Sequence, residues 1–117
     1  MPYIGVHTSV TPPDTAIGTM IERMADVVTD ITGKARSHMM TSLSRAVAMQ
    51  LGDDDAPCAY VDLRGIGGLN PEINQRLSDA IGALLEETLG VAPDHVYITF
   101  TSVDATHWGW NRTTFGA

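Results

Sequence analysis

Cysteine, lysine and positive charge in general are what this 117-residue chain has least of. Cys58 is the only cysteine. A lone thiol can neither close an intrachain disulfide nor build a cysteine cluster for zinc, so the core must hold the fold. Seven lysines and arginines stand against fourteen aspartates and glutamates, a net charge of −7, and Lys34 is the only lysine. That excess of negative charge argues against non-specific binding to nucleic acid or to an acidic membrane surface. No apolar run approaches the roughly 18 residues that would suggest a membrane span. The start, Met1-Pro2-Tyr3-Ile4-Gly5-Val6, has neither the basic cluster nor the long apolar core of a secretory signal. A cytoplasmic protein is expected. Metal-ligand spacing is missing as well. His7, His38, His95 and His107 form no H-x-x-x-H pair, and surface or strand-packing roles are expected for each. Asp53-Asp54-Asp55 lacks the alternating ligands and closing glutamate of a calcium loop and reads as a solvated loop.

What remains is the composition of a globular protein, 44% hydrophobic, of a length suited to one domain over residues 1–117. Tyr3 to Thr8 is rich in strand formers, and Thr11-Pro12-Pro13-Asp14 breaks the strand and prepares a helix. That helix is expected from about Pro13 to Ile31, with Ile17, Met20, Ile21, Met24, Val27, Val28 and Ile31 on its buried stripe and Gly33 as its stop. A weak strand is expected over His38 to Ser44 and a short helical turn over Ala46 to Leu51. Gly52 to Pro57 reads as an exposed loop.

From Cys58 the order repeats. Cys58 to Leu63 is a strand, Gly65-Ile66-Gly67-Gly68 a turn, and Asn70-Pro71 opens a second helix with Ile73, Leu77, Ala80, Ile81, Leu84 and Leu85 inward. Gly90 ends that helix, and His95 to Thr101 alternates as a fourth strand. Pro71-Glu72 and Gly90 answer Pro13-Asp14 and Gly33 at an offset of 57 or 58 residues, which marks an internal β-α-β duplication over about 2–50 and 58–115. Two such units form an α/β fold, one four-stranded sheet with both helices on one face. The other face is expected to be bare and apolar, which predicts a symmetric oligomer.

Three features could carry chemistry. Pro2 by itself is most simply a spacer at a chain end, yet removal of Met1 would turn it into a secondary amine. In an apolar pocket or beside a cation such an amine titrates below its usual value near ~8 and serves as a general base. Lys34, directly after the helix-ending Gly33, either caps a helix C-terminus or binds an anion beside that base. The turn at residues 65–68 is not a dinucleotide fingerprint, because Asn70 stands where the third glycine belongs; it is a tight turn with a backbone donor available at Ile66. The tail holds both tryptophans, Trp108 and Trp110, with Phe115 nearby. It is either interface packing or an aromatic wall for a ring-bearing ligand.

Pro2, Thr32-Gly33-Lys34, Pro57-Cys58-Ala59, Ile66-Gly67, Asp94-His95-Val96-Tyr97-Ile98, Gly109-Trp110-Asn111 and Thr113-Thr114-Phe115 together resemble the macrophage migration inhibitory factor family of the tautomerase superfamily. The resemblance spans Pro2 to Phe115. It implies a homotrimer whose pockets are built from two subunits, with Pro2 as catalytic base, Lys34 binding the substrate anion and Ile66 contacting substrate through its backbone. Tyr97 would enter the pocket across the subunit boundary, with Thr99, Trp108, Trp110 and Phe115 around the ring. The implied reaction is keto-enol tautomerisation of phenylpyruvate-type acids, extending to dopachrome-like compounds, with no cofactor and no metal. A signalling or binding protein with incidental turnover is the alternative. Leaderless secretion is left open. Thr99 replaces a family asparagine and Trp108 a small aliphatic residue, which changes the ring pocket. Val61 replaces the second cysteine of a C-x-x-C motif, which removes the associated thiol chemistry. Pro12, Pro13 and Ala46 depart from the residues tied to receptor binding and weaken that role.

Overall fold

The computed structural model describes residues 1–117. Strand β1 (Pro2–Thr8), helix α1 (Asp14–Thr32) and β2 (Met40–Arg45) form the first half; β3 (Ala59–Gly65), α2 (Pro71–Leu89) and β4 (Val96–Ser102) form the second. A small hairpin follows, β5 (Gly109–Trp110) with β6 (Thr113–Thr114). The main sheet has the order β2-β1-β3-β4. Strands pair parallel within each half and antiparallel where β1 meets β3, so the duplication is a pair of β-α-β units joined at their first strands.

The helices form where the periodicity places them. On α1, Met20, Met24 and Val28 are buried, with Ala25 and Thr29 beside them. Thr29 is accommodated because its hydroxyl donates to the Ala25 carbonyl at 3.0 Å. The stripe is narrower than expected: Ile21, Val27 and Ile31 are half-buried, and Ile17 is exposed. Helix α2 starts from a better cap, since the Asn70 side chain accepts the Ile73 N–H at 2.9 Å. Its Leu77, Ile81, Leu84, Leu85 and Leu89 are buried, while Ala80 and Ile73 stay half-exposed. These side chains meet Ile4, Val6, Val61 and Leu63 from the central strands in one core. Each such side chain contributes about 1.5–3 kcal/mol by leaving water.

Register decides the other face. Because Ile4 and Val6 point to the helices, Tyr3, Gly5 and His7 point away, and the pairing sets Tyr60, Asp62 and Arg64 of β3 and Tyr97, Thr99 and Thr101 of β4 beside them. The expectation of a bare apolar face is therefore wrong. Apart from Gly5 and Met40, the strand positions on that face are polar or aromatic, and several of them already engage one another. The Tyr3 hydroxyl bonds that of Ser42 at 3.0 Å, His7 stacks on Tyr60 at 6.2 Å between centroids, and Tyr60 bonds Thr99. The Tyr3 ring lies over Gly5, where a Cβ would collide with the phenol oxygen. Apolar burial thus supplies no argument for oligomerisation.

Three local expectations also change. Residues Arg36–His38 form a 3-10 turn, and β2 begins only at Met40 because that is where pairing to Tyr3 begins. No helical turn forms over Ala46 to Leu51: the Ala46 N–H bonds the Thr8 carbonyl at 2.9 Å and prolongs the path of the sheet. His95 closes a second 3-10 turn, Pro93–His95, instead of opening β4. No helix is long and apolar enough to cross a membrane.

Candidate active site

Pro2 is the first residue of a central strand, is buried, and sits in register with Gly65. It opens onto a cleft of about 290 Å³. Trp108, Trp110 and Phe115 form one wall, and Met39 and Met40 another. The aromatic wall exists because the tail folds back as a hairpin. Asn111 and Arg112 take φ values of 52° and 65° between Trp110 and Thr113, the positive-φ pair of a two-residue turn that asparagine tolerates. Phe115 then donates its N–H to the Trp108 carbonyl at 3.2 Å and stacks on Trp110 at 5.5 Å with planes 10° apart. Asn111 was the sequence signal for this hairpin, which the pattern of strand formers did not reveal.

Lys34 does not line the cleft. It leaves the end of α1, and its ammonium donates to the Ile66 carbonyl at 2.7 Å. So the structure uses Ile66 first as an acceptor for Lys34. Gly67 and Gly68 let the lysine lie across the turn; a Cβ at residue 68 would come 2.8 Å from Lys34 Cε. Lys34 nevertheless acts on the chain start. Burial first, and then the charge of Lys34, lower the N-terminal amine of Met1 below its ordinary value of 8.0. This is the direction a neutral amine base needs.

Tyr97 and Thr99 lie elsewhere. Tyr97 is level with Tyr60 and His7, five residues along from Pro2, or about 17 Å at the rise of an extended strand. Thr99 is two strands away and bonded to Tyr60. One chain therefore brings together Pro2, Trp108, Trp110 and Phe115, places Lys34 with Ile66 nearby, and leaves Tyr97 and Thr99 on the open sheet face.

The sequence reading missed the other polar lining of the cleft, Ser37 and His38. Their turn is pinned to α1 by Arg36, which donates to Glu22 at 2.7 Å and to Asp26 at 3.3 Å. His95 goes the other way. Its two ring nitrogens meet Asp94 at 2.7 Å and Asp54 at 3.0 Å, an arrangement that favours the protonated imidazole, in which both nitrogens donate. These hydrogen bonds raise the His95 pKa and lower that of Asp54. Asp54 thus ties the loop that looked merely solvated to the start of β4.

The family model for macrophage migration inhibitory factor (MIF) matches residues 1–116. A macrophage migration inhibitory factor homolog of Brugia malayi is 28% identical, covering 99% of this chain and 100% of that protein. The mouse macrophage migration inhibitory factor is 29% identical, covering 98% and 99%. Among solved structures, the macrophage migration inhibitory factor homologue from Prochlorococcus marinus superposes with a TM-score of 0.92 at 32% identity, over 97% of this chain and 99% of that one.

Proposed function

The chain belongs to the macrophage migration inhibitory factor family and has its α/β tautomerase fold, and from that premise we propose that it is a keto-enol tautomerase of phenylpyruvate-type α-keto acids. The observation that carries the proposal is Pro2, buried at the start of β1 and opening onto an aromatic cleft. Once Met1 is removed, the proline nitrogen is a secondary amine in the same field that already lowers the amine of Met1. In its neutral form, which that field favours, it accepts a proton from the carbon next to the ketone. The C–H electron pair becomes the C=C bond, the carbonyl π pair moves to oxygen, and the protonated proline returns its proton there. The reverse steps convert enol to ketone. One such base is worth about 10²–10⁴-fold.

Lys34 supplies the positive potential that an acid needs near a protein of net charge −7, and two of its three ammonium protons remain free of Ile66. The Ile66 amide is the backbone contact, while Trp108, Trp110 and Phe115 take the ring. Tyr97 and Thr99 complete the pocket only from a neighbouring subunit, so the proposal includes a homotrimer, and dopachrome-like compounds are further substrates by the same chemistry. No cofactor enters, because the amine itself holds the proton in transit.

The test is Pro2→Gly in protein whose Met1 removal is verified by mass spectrometry. Phenylpyruvate tautomerisation is expected to fall by at least about 10²-fold with the fold intact. Turnover equal to the unmodified protein overturns the assignment. Saturable binding without turnover of any keto acid supports a binding protein instead.

A further inference from the structure

The proposed substrate class has an apolar ring and a charged carboxylate, and the cleft treats its two ends differently. Pro2 is buried, whereas His38 is exposed at the rim. A carboxylate pushed to the buried end would lose its hydration among apolar and aromatic groups, at a cost of several kcal/mol. It belongs at the rim, with the ring against Trp108, Trp110 and Phe115.

The other nearby cations, Arg36 and Lys34, lie outside the lining. Arg36 is held by Glu22 and Asp26, and the ammonium of Lys34 is hydrogen-bonded to the Ile66 carbonyl outside the lining. Once Met1 is gone, His38 is the only side chain of the lining that can carry positive charge. Neither of its ring nitrogens hydrogen-bonds within the protein. The short 3-10 turn that presents it is anchored from behind by the ion pairs of Arg36, so the imidazole is offered to the cleft at little further ordering cost.

We propose that His38 is a specificity-determining residue: its imidazole N–H hydrogen-bonds the substrate carboxylate at the mouth of the Pro2 cleft, selecting acids over neutral analogues. This rests on the tautomerase reading but is separable from it, because binding can be read without turnover. Trp108 and Trp110 are the only tryptophans in the chain and both line the cleft, so quenching of their fluorescence reports occupancy directly.

The experiment compares phenylpyruvate with its methyl ester in the unmodified protein, His38→Ala and His38→Gln, by fluorescence titration and by steady-state kinetics. With His38→Ala, the Kd and KM for the acid are expected to rise about tenfold, the change for one charge-assisted hydrogen bond. The values for the ester should stay within about twofold and kcat within about threefold. His38→Gln, which keeps an N–H donor, should recover part of the loss. Equal losses for acid and ester, or no change in acid binding, overturn the proposal, as does failure of the unmodified protein to bind the acid. If Pro2→Gly leaves turnover intact while His38→Ala still weakens acid binding, the assignment of the base fails and that of His38 stands.

Discussion

Replacing Gly68 by alanine tests whether the glycine turn exists to seat Lys34. Two costs are readable from the structure. The residue has φ 79°, and an L-residue in that region costs roughly 1–2 kcal/mol. The new Cβ would also stand 2.8 Å from Lys34 Cε. The lysine end must shift to make room, and we expect that shift to weaken its hydrogen bond to Ile66. A charge-assisted bond of this kind, half open to solvent, is worth about 1 kcal/mol net. Gly90→Ala is the matched control, because Gly90 has φ 69° and nothing within 4 Å of the added Cβ. Both substitutions stiffen the unfolded chain equally, so their difference isolates Lys34. We expect Gly68→Ala to cost about 1 kcal/mol more than Gly90→Ala, or about 4 °C in Tm at this chain length, measured at matched protein concentration. Activity supplies a second readout. Since the charge of Lys34 lowers the N-terminal amine, displacing it raises the pKa of the base. The acid limb of kcat/KM should then move to higher pH in Gly68→Ala and stay in place in Gly90→Ala. Equal destabilisation with an unmoved limb would refute the idea that the turn holds the lysine.

The link between Asp54 and His95 sets a pH window. The folded-state pKa of His95 is raised, so its contribution is full below the ordinary imidazole value near ~6.5 and is lost as pH rises through the folded value. That of Asp54 is lowered, so its contribution is full above about 3.9 and is lost as pH falls through the folded value. Asp54→Asn should therefore speed amide exchange in the loop at residues 52–57 most between about pH 4 and 6.5 and change little at pH 9; uniform faster exchange at both would contradict it. In the core, Leu85 is fully buried. Leu85→Ala should lower unfolding free energy by about 2–5 kcal/mol in denaturant titrations, and a loss below 1 kcal/mol would mean that the two helices repack to fill the space. Sedimentation at graded concentrations tests the trimer: a monomer at every concentration would leave Tyr97 and Thr99 outside any pocket.

Much of the fold was legible because periodicity is a local property. Met20, Met24 and Val28 recur at helical steps and are buried, and so are Leu77, Ile81 and Leu85. Gly33 and Gly90 end their helices in the left-handed conformation, which glycine adopts without strain. The flanks of β2 were misread for the opposite reason. Whether His38 extends or turns depends on where Tyr3 finds its partner, and Ala46 follows the sheet because of a carbonyl on β1. Neither fact lies in the neighbouring residues.

The site divides in the same way. By itself the sequence determined that Pro2 could become an amine, that Lys34 was the only lysine, and that aromatic rings were gathered in the tail; residue type and order carry those facts. Tertiary structure alone decided which of them meet. The Asn111-Arg112 turn folds Trp110 and Phe115 back to Pro2, while strand register carries Tyr97 about 17 Å away. It also decided that the second sheet face is polar, because a half-turn of side chains per residue makes every inward Ile4 or Val61 set an outward Tyr3 or Tyr60. And it made His38 part of the cleft: nothing local marks that histidine, and only the anchoring of its turn by Arg36 on α1 brings the ring to the rim.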